Sequence, residues 1–234
     1  MQIKLTKKPK NCTLIEGFPG FGLVGTIALE YLLEHLDTEP IGKVIFDEMP
    51  AMVAIHEGKL VEPLGIFYNK KYNIVLLHAV TASAGMEWKL SQMVIELSKQ
   101  LNVKEIVCME GVGSSQASKT SRVFFYSNKN KDKFKKIKVE PLKEGIIIGV
   151  TGAVMVRAEN VEVSAIFSET HTNLPDSKAA AKVIEVLDKY LGLKVDYKPL
   201  LQQAAKFEGK LKGLLTEGQK AQEISEKKKL SYVG

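Results

Sequence analysis

The chain has 234 residues, 45% of them hydrophobic and 26% charged, with a formal net charge of +6. That composition predicts one large soluble globular domain with room for an appendage, and excludes disordered and low-complexity classes. No apolar run approaches the roughly 18 residues of a membrane span. The start, Met1-Gln2-Ile3-Lys4, lacks an apolar signal core, and Cys12 and Cys108 have no CxxC spacing. These features predict a reducing compartment, the cytoplasm, with no membrane partner and no zinc site.

Residues 1–11 read as a polar lead-in or edge strand, and residues 12–15 as the first core strand. There follows a tight turn, Glu16-Gly17-Phe18-Pro19-Gly20-Phe21-Gly22-Leu23-Val24-Gly25. Glycines at this density mark backbone that turns sharply or is closely approached. Gly17, Pro19, Gly20, Gly22 and Gly25 therefore read as a structural glycine loop. A helix is predicted over 26–36, with Leu23, Ile27, Tyr31 and Leu36 on its inner face. Next comes a run of strands without a long helix: 42–49, 51–56, and a hairpin of 64–68 and 73–80. A second helix over 84–101 places Met86, Leu90, Met93, Leu97 and Leu101 on one face.

A buried strand is predicted over 104–111 and a short one over 122–126. The lysine-rich patch 129–138 reads as a polar helix and rim. Arg122 and Arg157 are the only arginines of the chain. Bidentate recognition of bases and phosphates leans on arginine, so no nucleic-acid partner is expected. Ile146-Ile147-Ile148 predicts a strand over 144–151, and the last strand covers 161–167. A final domain helix begins near Asp176, buries Ala179, Val183, Val186, Leu187 and Tyr190, and stops at Gly192. Alternating strands and helices with that extra run of strands predict a mixed-sheet α/β sandwich over 1–195.

Residues 196–234 differ in character. Leu200, Ala204, Phe207, Leu211, Leu214, Gly218 and Ala221 recur at spacings of 4, 3, 4, 3, 4 and 3. This predicts a long helix over 199–229, with Leu200, Phe207, Leu211 and Leu214 as a seam against its own domain or another subunit. Interior glycines 209, 213 and 218 would each cost about 1 kcal/mol, so the helix needs a packing partner. Leu230, Tyr232 and Val233, behind three lysines, form an apolar tip on a charged tether and read as a partner-binding tail.

Gly20-x-Gly22-x-x-Gly25 after a strand and before a helix is also the dinucleotide pattern. Asp47, 22 residues past Gly25, could supply the acid. A dinucleotide fold then needs a crossover helix after its second strand, and here strands follow. An enzyme or sensor binding a nucleotide or nucleoside at residues 17–25 remains the alternative reading. No G-x-S-x-G occurs. Ser83, Ser114, Ser115, His78 and His171 sit at strand ends without a spacing that joins them, so no catalytic residues, metal or cofactor are assigned.

Read whole, the turn with Ala28, Tyr31 and Leu32 resembles the signature of the proteasome assembly chaperone family in its archaeal and bacterial form, and the lysine-rich helix and short C-terminal tail resemble the archaeal members. Gly149-Val150-Thr151-Gly152-Ala153 and Leu174-Pro175-Asp176 with Ala179-Ala180 resemble its later blocks, in order. The resemblance covers residues 12 to 190. It implies a fold like that of nucleoside phosphorylases without their catalysis. It further implies a homo-oligomer that binds proteasome α-subunits and assists core-particle assembly without ATP, with a related chaperone-type protein as a further partner. Some members dock through a hydrophobic–tyrosine–any-residue tail. Here Tyr232 is third from the end and follows Ser231, which departs from that pattern.

Overall fold

The computed structural model describes residues 1–49, 51, 53–56, 58–80, 85–113, 121–170 and 174–202. In chain order the elements are β1 (Gln2–Leu5), β2 (Thr13–Glu16), α1 (Val24–His35), β3 (Glu39–Ile45), β4 (Ala54–His56), β5 (Lys59–Val61), β6 (Leu64–Asn69) and β7 (Ile74–Ala79). Then follow α2 (Glu87–Leu101), β8 (Glu105–Gly113), β9 (Val123–Ser127), α3 (Lys131–Lys136), β10 (Glu140–Pro141), α4 (Val150–Arg157), β11 (Glu162–Thr170), α5 (Ser177–Leu191) and α6 (Lys198–Gln202).

Nine strands form one mixed sheet in the order β1-β3-β6-β7-β2-β8-β11-β9-β10. Its centre, β7-β2-β8-β11, is parallel, while β3, β6 and β7 pair antiparallel as the predicted hairpin and its neighbour. The central strands read as near-continuous apolar runs because both faces are covered. Alternate residues separate cleanly. Ile15, Ile74, Leu76, Val107 and Met109 pack under α1, α3, α5 and α6. Leu14, Val75, Leu77, Ile106 and Cys108 pack under α2 and α4. The result is a helix–sheet–helix sandwich. α5 is capped as its sequence suggests: the Asp176 carboxyl accepts from the Ala179 amide at 2.9 Å, and Gly192 ends the helix at φ 69°.

Two predicted elements differ. Residues 144–151 are not a strand. The sheet positions beyond β11 are taken by β9 and β10, and Gly149 at φ 103° turns the chain directly into α4. Ile146 and Ile148 are 86% and 82% exposed, and only Ile147 packs inward. A short apolar run carries no period that distinguishes a buried strand from a one-sided loop. Of the described residues among 51–56, 54–56 form a strand, which pairs with β5 in a separate two-stranded ribbon. The predicted helix over 199–229 is represented by α6 alone, since residues 203–234 lie outside the described residues.

Candidate functional site

The strand, turn and helix predicted around the glycines fold as β2, a 3-10 turn over Phe21–Leu23, and α1. The turn lies at the C-terminal edge of the parallel strands, where open α/β sheets form their sites. Its glycines are there for close approach. A Cβ on Gly25 would lie 2.1 Å from the Met109 carbonyl oxygen, and one on Gly17 would lie 2.2 Å from the Gly25 oxygen. Gly22 takes φ 64°, and its carbonyl accepts from the Asp176 amide at 2.9 Å, tying the turn to the start of α5. A Cβ on Gly20 would lie 2.1 Å from Glu110 Oε1, so this glycine makes room for a buried carboxyl.

That carboxyl is one of two. Glu16 ends β2, Glu110 lies on the neighbouring β8, and both point to the α2–α4 side. Both are buried. Between them stands Thr151 in the first turn of α4, its Oγ1 3.2 Å from Glu16 Oε1 and 3.2 Å from Glu110 Oε2. The Phe18 amide donates to Glu16 at 3.2 Å and the Gly111 amide to Glu110 at 3.1 Å. The Phe21 backbone also bonds Glu110, and the Cys108 thiol bonds Glu16. Burial pushes the Glu110 carboxyl up to about 8, with the Glu16 charge as the second cause. Burial also raises the Glu16 carboxyl. The Cys108 thiol stands well above its usual range, through burial first and then the Glu16 charge.

A cavity of about 410 Å³ opens over Glu110, lined by Pro19, Phe21, Val112 and the Ile146–Ile148 segment among others. The geometry speaks against a phosphate there. Amides of a glycine turn bind anions when they are free, and here those of Phe18, Phe21 and Gly111 serve the chain's own glutamates. A dinucleotide would meet a carboxyl where its pyrophosphate should rest. Asp47 lies at the far side of the sheet, exposed, facing the chain's amino terminus at 3.9 Å.

The remaining candidates separate. His78 ends β7 and pairs with Glu30 of α1 at 2.7 Å. Ser83, Ser114, Ser115 and His171 lie outside the described residues. Leu200 is buried against the first core beside α5; Phe207, Leu211, Leu214, Leu230, Tyr232 and Val233 lie outside the described residues. Among the described residues no cluster of three or more metal-ligating side chains occurs, and no helix is long and apolar enough to cross a membrane. The lysine patch is carried by α3, which is pinned by Phe134 stacked between Phe125 and Tyr190 at 4.5 and 4.2 Å.

Sequence reasoning missed Glu110 and Thr151, and gave Glu16 no role. A signal was present: Ile15-Glu16-Gly17 and Met109-Glu110-Gly111 repeat one pattern, an apolar strand closing on Glu-Gly. A charge at the end of two buried strands asks for a partner, and adjacent strands bring the two together.

The PAC2 family profile matches residues 14–215. The chain belongs to the PAC2 family. That match runs through both glycine blocks and the α5 entry, the segments whose resemblance to proteasome assembly chaperones appeared in the sequence. The crystal structure of Pyrococcus furiosus PbaA, an archaeal homolog of proteasome-assembly chaperone, is 29% identical to this PAC2 chain. It aligns over 94% of this chain and 100% of PbaA, with a TM-score of 0.84. PbaB of the same organism, an archaeal proteasome activator, is 20% identical over 91% of this chain and 98% of its own, with a TM-score of 0.74, and shares the fold. An uncharacterised protein of Methanocaldococcus jannaschii is 28% identical over 239 residues, 99% of this chain and 98% of its own.

Proposed function

We propose that this chain is a non-enzymatic, ATP-independent assembly factor that binds proteasome α-subunits and assists formation of the core particle. The observation that carries this reading is the end-to-end match to PbaA. The glycine turn supports it from the other side, because its Phe18 and Phe21 amides are engaged by Glu16 and Glu110. The nucleotide or nucleoside alternative has no comparable support.

The finer parts of this reading go with it. The working form is a homo-oligomer in the cytoplasm, with a related chaperone-type protein as a further partner. The α/β domain is of the nucleoside-phosphorylase kind. Residues 199–229 continue α6 as a long helix whose Phe207, Leu211 and Leu214 meet another subunit. Leu200 anchors the root of that helix in its own core. Leu230, Tyr232 and Val233 form the docking tip.

Capture of purified proteasome α-subunits by the full chain tests the reading, beside a chain ending at Lys229. Capture by the full chain alone assigns the tip to the partner site. Equal capture removes the tip from it. Failure of both forms to bind α-subunits overturns the function. A thermal-shift screen tests the alternative: a nucleotide at 100 times its dissociation constant would add roughly 2.7 kcal/mol, and none is expected to do so.

A further inference from the structure

A hydroxyl carries one hydrogen, and an ionised carboxylate carries none to give. Thr151 Oγ1 is within hydrogen-bond distance of two carboxyls, at 3.2 Å each. It can donate to one only. The other carboxyl must bring its own proton and donate to Thr151, or it presses an oxygen lone pair against another in a site buried from water. We propose that Glu16, Glu110 and Thr151 form a latch closed by one shared proton, which fastens the glycine turn to the start of α4 and so holds the Ile146–Ile148 wall of the adjoining cavity in place.

The latch joins what the sequence holds far apart. Thr151 lies 135 residues from Glu16 and 41 from Glu110, and it belongs to the second glycine block where Glu16 opens the first. The charged surroundings are simple. From β2 comes Glu16 itself; from β8 come Glu110 and Cys108, whose thiol bonds Glu16. The first turn of α4 and residues 17–25 of the glycine turn hold no titratable group. From β11, Glu169 is on the same face but is ion-paired with Arg122 at 2.6 Å. Neither Glu16 nor Glu110 is ion-paired with a described residue, so a proton is what relieves the pair. Besides Thr151, Glu16 receives the Phe18 amide and the Cys108 thiol, and Glu110 the Gly111 and Phe21 amides, so the donors balance and access to the cavity, which Glu110 lines and Glu16 does not, chooses between them. Glu110 is the proton's holder, and its carboxyl faces the cavity through which the proton exchanges with water.

The sign follows from burial. The Glu110 carboxyl is raised from 4.5 to about 8, so above pH 4.5 the folded chain keeps a proton that the unfolded chain has lost. The latch's contribution is complete below the unfolded value and is lost as pH rises through about 8. Above that the pair repels, and residues 142–151 loosen.

The test uses the full chain, with Glu110→Gln and Glu16→Gln beside it. An amide at position 110 donates to Thr151 at any pH and cannot be titrated away. Infrared spectroscopy of the wild type reads the proton directly. A protonated-carboxyl carbonyl band is expected near pH 7, lost on alkaline titration and absent in Glu110→Gln. Hydrogen-exchange mass spectrometry then reads the latch. Between pH 6 and 8, opening of 142–151 in the wild type is expected to rise by up to about tenfold per pH unit beyond that in Glu110→Gln, and to level off above about 8. The end of the sheet near Glu105 serves as the unaffected reference. Absence of the acid band from the wild type at pH 7 overturns the proposal, and this holds even if neither variant folds. Identical pH profiles for the wild type and Glu110→Gln at residues 142–151 also overturn it.

Discussion

Strand β8 carries a buried glutamate near each end of its buried stretch, Glu105 and Glu110, and the two ends of the sheet solve the same problem differently. At the first end, the Asn130 side-chain amide lies between two carboxyls, 3.0 Å from Glu105 and 3.0 Å from Glu162. At the second, Thr151 lies between Glu16 and Glu110. An amide brings two hydrogens to two acceptors; a hydroxyl brings one. Glu105 also accepts from Tyr190 at 2.7 Å and from Ser164, so at the first end each carboxyl has a hydrogen from a neighbouring side chain. The second is one hydrogen short and must take it from solvent. A buried carboxyl is therefore structural or switchable according to the hydrogens its neighbours supply, and burial alone does not decide which.

The largest expected effect comes from the backbone that closes the second end. Gly25→Ala would place a Cβ 2.1 Å from the Met109 carbonyl oxygen and 3.0 Å from Gly17 Cα, with no flexible side chain to give way. A loss above about 4 kcal/mol is expected, within the rare tail of single substitutions, read as loss of soluble yield or of a cooperative denaturant transition. Next comes a change that makes the first end resemble the second. Asn130→Asp removes both hydrogens and adds a third carboxyl beside Glu105 and Glu162. Roughly 1–3 kcal/mol should be lost at pH 8, recovering as pH falls, because protonation restores donors. A pH-independent loss would mean that the amide mattered for its shape. Tyr190→Phe keeps the ring stacked on Phe134 and removes one donor from Glu105. About 1 kcal/mol should be lost, with no new pH dependence, since Asn130 and Ser164 remain.

Most of the fold could be read from the sequence because its central strands and long helices carry clear periods. The α2 face at Leu90, Met93, Leu97 and Leu101, and the Asp176 and Gly192 boundaries of α5, follow from spacing and capping alone. Ile146-Ile147-Ile148 did not, because which strand fills the place beside β11 is decided by β9, some 20 residues earlier in the chain. The candidate site was half legible. The glycines announced close approach, yet what approaches them, the Met109 carbonyl and the Glu110 carboxyl, comes from a strand remote in sequence. The same remoteness kept Thr151 hidden, since a threonine in an apolar helix has no local signature of a buried bridge.

The smallest expected effect separates hydrogen count from packing. Thr151→Ser retains the hydroxyl between Glu16 and Glu110 and loses one buried methyl, worth about 0.8 kcal/mol. The loss should be the same at pH 6 and pH 9, because a methyl does not titrate. Thr151→Val keeps the volume and removes the hydroxyl, so the two carboxyls face each other without a bridge and the shape of the pH profile should change. Denaturant midpoints of the two variants, compared at the two pH values, decide the matter. If Thr151→Ser altered the pH profile and Thr151→Val did not, the methyl would be holding the two strand ends together, and the contrast between one hydrogen and two would not be what distinguishes the ends of the sheet.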